Sequence, residues 1–136
     1  MIYRTTTTKT IADATEGHHG DDFVVDEWVK NPANVALVND RGDVNLFQFE
    51  REGLFLGHFF YVSRGREALK AAREMLAEIF KYEEVKVLMG LTPVDKLGAR
   101  WLTRKLGFTS YGIIETPSGD CEMFVLSRPE YEKDAA

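Results

Sequence analysis

The spacing of apolar and polar positions changes period several times along the chain, and each change marks an element. Ile2–Thr8 is extended in character and predicts a first strand, followed by a helical but weakly patterned region. Asp21 or Asp22 can cap a short helix, FVVDEWVK, that Asn31-Pro32 brings to an end. Val35–Asn39 then reads as a strand, NDRGD as a hairpin turn around Gly42, and Val44–Arg51 as a second strand. Glu52-Gly53 turns the chain again into Leu54–Val62. That run, LFLGHFFYV, is apolar on both faces, which predicts a central strand covered on both sides.

Helical periodicity is strongest over 66–82. Ala68, Leu69, Ala72, Met75, Leu76, Ile79 and Phe80 fall on one stripe, while Lys70, Arg73, Glu74, Glu78 and Lys81 face outward. A strand is predicted at Val85–Leu91. A second helix follows, with Thr92 as N-cap, Pro93 at the first position and Asp95 completing a T-x-x-D capping box. Gly107 ends that helix in the left-handed conformation, folding Phe108 back onto Leu102 or Thr103. Two last strands, Ser110–Glu115 and Cys121–Ser127, flank the turn Pro117-Ser118-Gly119-Asp120, and the tail YEKDAA reads as frayed. Strand, helix 66–82 and strand form a βαβ unit whose right-handed crossover makes the strands parallel. Hairpins on either side make the sheet mixed and mostly antiparallel, so the fold class is α+β.

Composition narrows the function classes. With 136 residues the chain reads as one domain, large enough for a substantial core without staples. Its 44% apolar and 29% charged residues are ordinary for a globular protein. A net charge of −5 argues against a nucleic-acid partner held by a broad basic surface. Cys121 is the lone cysteine, which excludes an internal disulfide and suits a reducing, cytoplasmic setting. Cys121 sits in an apolar/polar alternation and reads as a small packed side chain. No run approaches the roughly 20 apolar residues of a membrane helix, so no membrane partner is expected.

Candidate chemistry concentrates in YVSRGREALKAA, residues 61–72, where a strand ends, Gly65 turns the chain and a helix begins at once. The first turn of that helix carries free N–H groups and the positive end of its dipole. Gly65 permits close approach of a ligand, and Arg64 and Arg66 add two cations. The arrangement suits an anion such as a diphosphate. It equally suits a plain strand-to-helix turn with solvated arginines.

The order strand, phosphate-type turn, amphipathic helix, strand, helix ending in Leu-Gly-Phe resembles the GNAT superfamily of acetyl-CoA-dependent N-acyltransferases. The likeness covers roughly residues 35–127 and is sharpest in VKVLMGLTPVDKLGARWLTRKLGF. There Ala99, Leu102, Leu106, Gly107 and Phe108 fall on the pattern N-x-x-A-x-x-L-Y-x-x-x-G-F. The compressed turn and the Gly-x-Thr-Pro look most like small GNAT-like proteins of tailed phages, some of which have head-assembly or virion roles. The resemblance implies a domain with residues 1–34 on the acceptor side, 35–127 as sheet and CoA-binding core, and 128–136 as tail. It implies that the pantetheine arm of CoA pairs along Phe60, Tyr61 and Val62. The pyrophosphate would sit on Ser63, Arg64, Gly65, Arg66 and Ala68. Met89 and Gly90 would line the reaction gap, and an amine acceptor would enter past Glu27 and Trp28.

Departures from the pattern are specific. The cradle Arg/Gln-x-x-Gly-x-Gly/Ala, aligned on Ala68, has Arg66 at the glycine and Ser63 at Arg/Gln; aligned on Gly65, Val62 and Glu67 are the mismatches. The tyrosine that protonates the departing thiolate falls at Thr103, far too weak an acid for that work. The helix asparagine is Lys96, which could still meet a CoA phosphate as a point charge. His58 is the best base candidate, with Tyr61 and Tyr111 as acids; His58 also reads as a core histidine of an aromatic strand. Strand alternation puts His58 and Tyr61 on opposite faces. The expected activity is CoA-dependent acetyl transfer to a primary amine of a small molecule or protein. The alternative is a non-catalytic GNAT-fold assembly or binding protein, located in host cytoplasm or virion if phage-encoded.

Other motifs carry less. His18-His19-Gly20-Asp21-Asp22 has metal-ligand residue types, but adjacent histidines converge poorly on one ion, and a helix start is the better reading. Arg41-Gly42-Asp43 matches an integrin tripeptide yet satisfies turn geometry. The aromatic groups Phe47/Phe49 and Phe55/Phe59/Phe60 read as core, with any exposed ones available for self-association or a protein partner.

Overall fold

The computed structural model describes residues 1–17 and 23–135. The strands are β1 (Ile2–Thr5), β2 (Val35–Asn39), β3 (Val44–Arg51), β4 (Leu54–Phe60), β5 (Val87–Pro93), β6 (Thr109–Thr116) and β7 (Gly119–Ser127). The helices are α1 (Thr8–Thr15), α2 (Val25–Lys30), α3 (Gly65–Ile79), α4 (Leu97–Lys105) and α5 (Arg128–Ala135). The seven strands form one sheet in the order β1-β2-β3-β4-β5-β7-β6, which puts β4 in the middle as its two-faced apolar character predicts, although it is not covered on both sides as expected: Phe55 alone of its residues is buried. β4 and β5 are the parallel pair, and the other neighbours are antiparallel. The fold is a mixed α+β sheet with a central βαβ unit.

Strand alternation assigns the two faces. On one, Val35, Leu37, Phe47, Phe55, Leu88 and Leu126 meet Met75, Leu76 and Ile79 of α3 and its C-cap Phe80, all fully or almost fully buried. This stripe explains why 65–79 is helical: its apolar positions recur at three and four residues and have a sheet to cover. Truncating Met75 here, at 0% exposure, would cost about 3 kcal/mol. On the other face Ile11 of α1 and Trp28 of α2 cover Ala36, Val38, Val44 and Leu46. Among the described residues, the helices on this second side pack against β2, β3 and Phe60 of β4.

Local signals explain the element ends. Gly107, at φ +95°, closes α4: its N–H reaches the Arg104 carbonyl at 3.0 Å, and Phe108 N–H reaches that of Thr103 at 3.4 Å. Several expectations need correcting. Thr92 and Pro93 do not start a helix; they extend β5, opposite Glu122 and Cys121 of β7, and α4 begins only at Leu97 after Lys96. Proline is tolerated there because it ends the strand, where its missing N–H costs no ladder bond. β1 stops at Thr5, where its four-residue ladder to β2 ends. Helix 66–82 is shorter, ending at Ile79 with tighter turns through Tyr82.

The tail is likewise helix α5 and not frayed. Ser127 and Glu130 form a reciprocal capping box, each accepting from the other's backbone N–H at 3.3 Å. Arg128 donates to the carbonyls of Phe80, Tyr82 and Val85 at 2.9, 2.7 and 3.0 Å, and Tyr131 stacks on Phe80 at 4.5 Å. The capping by Asp21 or Asp22 and the His18–Asp22 motif lie outside the described residues.

Candidate functional site

β4 and β5 pair only through Leu54–Val87, Phe55–Leu88 and Leu56–Met89, yet β4 continues to Phe60 and β5 to Pro93. Past the third pair the strands carry no mutual ladder, and a fork opens at their carboxyl ends. Backbone groups on the two fork-facing edges are therefore left for another partner. Met89 stands at the base of the fork and Gly90 is the first residue beyond it. A Cβ placed on Gly90 would meet no heavy atom within 4 Å, so that side chain is absent where space is open. α3 follows one arm and α4 the other, and Ala68, Ala72 and Leu102 join them, packed with Phe59, Tyr61, Leu69 and Leu106.

The corner between β4 and α3 divides into a closed part and an open part. Asp43, at 0% exposure, accepts from the N–H groups of Val62 (2.8 Å) and Ser63 (2.9 Å) and from the Ser63 hydroxyl (2.7 Å). Burial pushes the Asp43 carboxyl up, but the donors of Ser63, Asn39 and Val62 outweigh it and hold the group below its usual range. Among the described residues, no acceptor meets the N–H groups of Gly65, Arg66 and Glu67; the first bond of the helix runs from Ala68 to the Arg64 carbonyl. Gly65 has φ +57°, and a Cβ there would likewise meet nothing within 4 Å. Arg64 turns back onto the carbonyls of Tyr61 and Ser63, Glu67 pairs with Arg41, and Arg66 is exposed without an acid partner among the described residues. Three open amides, a helix dipole and an exposed guanidinium fit a diphosphate.

On the α1–α2 face, His58 lies opposite Leu46 and beside Leu56, the partner of Met89. Its ring makes no hydrogen bond to any described residue, and no buried side-chain nitrogen lacks a partner, so the imidazole keeps contact with solvent. Burial lowers its affinity for a proton below the ordinary value of 6.5, and the charge of Glu50 offsets part of that. Trp28 donates its indole N–H to Gln48 at 3.2 Å, and Gln48 donates in turn to Glu50 at 2.9 Å. This relay fixes an exposed carboxylate near His58. Glu27 faces solvent and pairs with Lys30 at 3.4 Å.

The remaining expected residues are dispersed. Phe60 packs with the Ile11–Trp28 cluster, and Val62 is 63% exposed. Tyr61 lies on the α3 face with its hydroxyl donating to Asn45 at 2.7 Å, and burial plus the Asp43 charge raise it far above an ordinary tyrosine. His58 and Tyr61 thus occupy opposite faces. Tyr111 is exposed on β6, separated from β4 by β5 and β7. Lys96 is exposed at the start of α4. Thr103 is buried and donates to the Ala99 carbonyl at 2.8 Å.

Sequence reasoning missed Asp43, Gln48 and Glu50. It also missed Glu122, a buried carboxylate of β7 held by Arg100 (2.8 Å), Arg104 and the Ser110 hydroxyl (2.5 Å). Arg100 also donates to the Val94 carbonyl at 2.9 Å, tying α4 to the end of the β5 arm. No spacing rule predicts these contacts, because partners such as Arg100 and Glu122 are 22 residues apart. A surface groove of about 510 Å³ runs along α4 itself, lined by Leu97, Arg100, Trp101, Arg104 and Lys105. Among the described residues no helix is long and apolar enough to cross a membrane.

The chain has the fold of the GNAT acyltransferases. A spermidine N-acetyltransferase, SpeG, from Vibrio cholerae superposes with TM-score 0.80 at 10% identity, over 100% of this chain and 99% of that one. The aminoglycoside acetyltransferase AAC(6')-Ib in complex with coenzyme A superposes with TM-score 0.73 at 16% identity, over 100% and 99%. The same enzyme in complex with an aminoglycoside and acetyl-CoA gives 0.73 at 15%, over 100% and 97%. No family model matches the sequence, and no curated protein does.

Proposed function

We propose that this chain is a CoA-dependent N-acyltransferase that moves an acetyl group to a primary amine. The observation that carries the reading is the fork: β4 and β5 part after Leu56–Met89, with the open amides of Gly65–Glu67 at the end of the β4 arm. Structural neighbours crystallised with coenzyme A or acetyl-CoA support the same assignment. Acetyl-CoA supplies an acetyl group already activated as a thioester. This chain's part is to bind and orient. The first turn of α3 with Arg66 and Lys96 receives phosphates, and the fork edge of Phe60–Val62 lies along the pantetheine path. Met89 and Gly90 flank the reacting carbonyl. His58, neutral at pH 7, takes one proton from the ammonium, directly or through one water, before the freed amine attacks the carbonyl; the nitrogen loses a second proton as the tetrahedral adduct collapses, and CoA leaves as a thiolate that water protonates. In this reading 1–34 walls the acceptor side, 35–127 binds CoA, and α5 braces the core.

A second reading follows from Asp43. It already occupies the amides of Val62 and Ser63, which suits a GNAT-fold assembly or binding protein, phage-encoded in kind, that no longer holds CoA. Calorimetry with acetyl-CoA decides between them. Transfer predicts saturable binding that weakens about tenfold in Arg64→Ala/Arg66→Ala, the loss expected from removing charge-assisted contacts to phosphate. No heat at millimolar acetyl-CoA, with a stoichiometric protein complex recovered instead, favours the assembly role.

A further inference from the structure

Burial alternates along β7 from Glu122 to Ser127, and Leu88 and Thr92 are the buried positions of β5. Leu88, Thr92, Glu122, Phe124 and Leu126 are buried on the α3–α4 face, while Met89, Leu91, Met123 and Val125 on the opposite face are only half-buried. Register sets these four side by side, since Met89 pairs with Val125 and Leu91 with Met123, and Leu56 of β4 adjoins Met89. The described parts of α1 and α2 pack on β2, β3 and Phe60 of β4, and no residue of β5 or β7 belongs to their cluster. An apolar floor is therefore left half-open beside the fork, continuous with His58. None of the residues that β5 and β7 present on this face is charged. Among the described residues, the carboxylate whose charge reaches His58 is Glu50, held through the relay from Trp28.

We infer that the acceptor is an amine with an apolar body: the body lies on Met89, Leu91, Met123 and Val125, and the ammonium points to His58 and Glu50. The inference rests on the transferase reading and deepens it. Physical chemistry favours this class over a polyhydroxylated or multiply charged amine. Laying several hydroxyls or ammonium groups on a floor of apolar side chains strips their water and returns few hydrogen bonds. A phenyl or alkyl group loses nothing there and removes the remaining exposed surface of four partly buried side chains from water. Neighbours of the same fold that act on spermidine or carry an aminoglycoside would thus differ from this chain in acceptor class.

The test compares 2-phenylethylamine with spermidine and kanamycin as acceptors, following thiol release from acetyl-CoA. The expected result is a kcat/KM at least about tenfold higher for 2-phenylethylamine, the discrimination a few apolar groups supply. Met123→Glu should remove that preference without shifting Tm, and Leu91→Gln serves if Met123→Glu fails to fold. Preference for spermidine or kanamycin overturns the inference and leaves the transferase reading standing. If no amine elicits thiol release and acetyl-CoA does not bind, the transferase reading falls. Methionine-methyl NMR with 2-phenylethylamine then decides the floor alone: shifts confined to Met89 and Met123 uphold the site, and unmoved resonances overturn it.

Discussion

Asp43 holds Ser63 twice, by its backbone N–H at 2.9 Å and by its hydroxyl at 2.7 Å. The β3–β4 ladder ends at Val44–Phe60, and from there a side chain replaces backbone pairing and bends the strand into α3. Asp43→Asn keeps the shape but puts an amide donor against donors. It should cost about 2 kcal/mol in urea unfolding, the scale of bonds to a charged acceptor. Because the folded carboxyl sits below its unfolded value of 3.8, its contribution is fully present above that value. It disappears as pH falls through the folded value, and the variant should lack that part of the acid transition.

His58→Ala should lower the acetyl-transfer kcat about a hundredfold while leaving acetyl-CoA affinity within about twofold, the scale of a lost general base. The folded imidazole binds its proton less readily than the unfolded one, so wild-type kcat/KM should rise with pH through a midpoint below 6.5. The same sign makes stability fall as pH drops from 6.5 towards that midpoint. A flat profile between pH 5 and 8, the span in which histidine changes charge, removes His58 from the chemistry.

Glu122 should be less tolerant of removal than any exposed carboxylate. Burial raises its pKa, but the bonds from Ser110 and Arg100 and the charges of Arg104 and Arg100 bring it below the usual range. Glu122→Ala leaves Arg100 half-buried without its partner and should cost about 3 kcal/mol by thermal denaturation. Arg104→Ala, at a side chain 51% exposed, should cost less than 1 kcal/mol.

Arg128→Ala strands three carbonyls, of Phe80, Tyr82 and Val85, and should cost about 2 kcal/mol. Arg128→Lys should recover only a fraction, since an ammonium cannot span the fork geometry of a guanidinium. Hydrogen exchange should show faster opening of α5 in both variants, measurable at Tyr131 and Glu132.

Much of the fold was legible because it rests on short-range rules. The stripe Ala68–Phe80, the hairpin around Gly42 and the Gly107 cap each follow from residues within one or two turns of each other. The same locality misled at Thr92-Pro93, where T-x-x-D satisfies a helix start in isolation. Pairing with Glu122 and Cys121 of β7 outweighs that local preference. At the tail, S-R-P-E at 127–130 carried a capping-box signal that the polar composition obscured. The candidate site was legible only at Gly65 and its arginines. Asp43 to Val62 and Trp28 to Gln48 span 19 and 20 residues, separations over which no periodicity operates.

The amino-acid order alone determined most of the helices and strands, Thr92-Pro93 and the tail excepted, and that α3 crosses between parallel strands. Those outcomes follow from backbone hydrogen bonding and from apolar spacing, both readable in a short window. Tertiary structure alone decided where β4 and β5 part, which amides Asp43 consumes, and which strands of one sheet face α1 and α2 pack against. These depend on register and on contacts between distant segments, and register exists only once the strands have met.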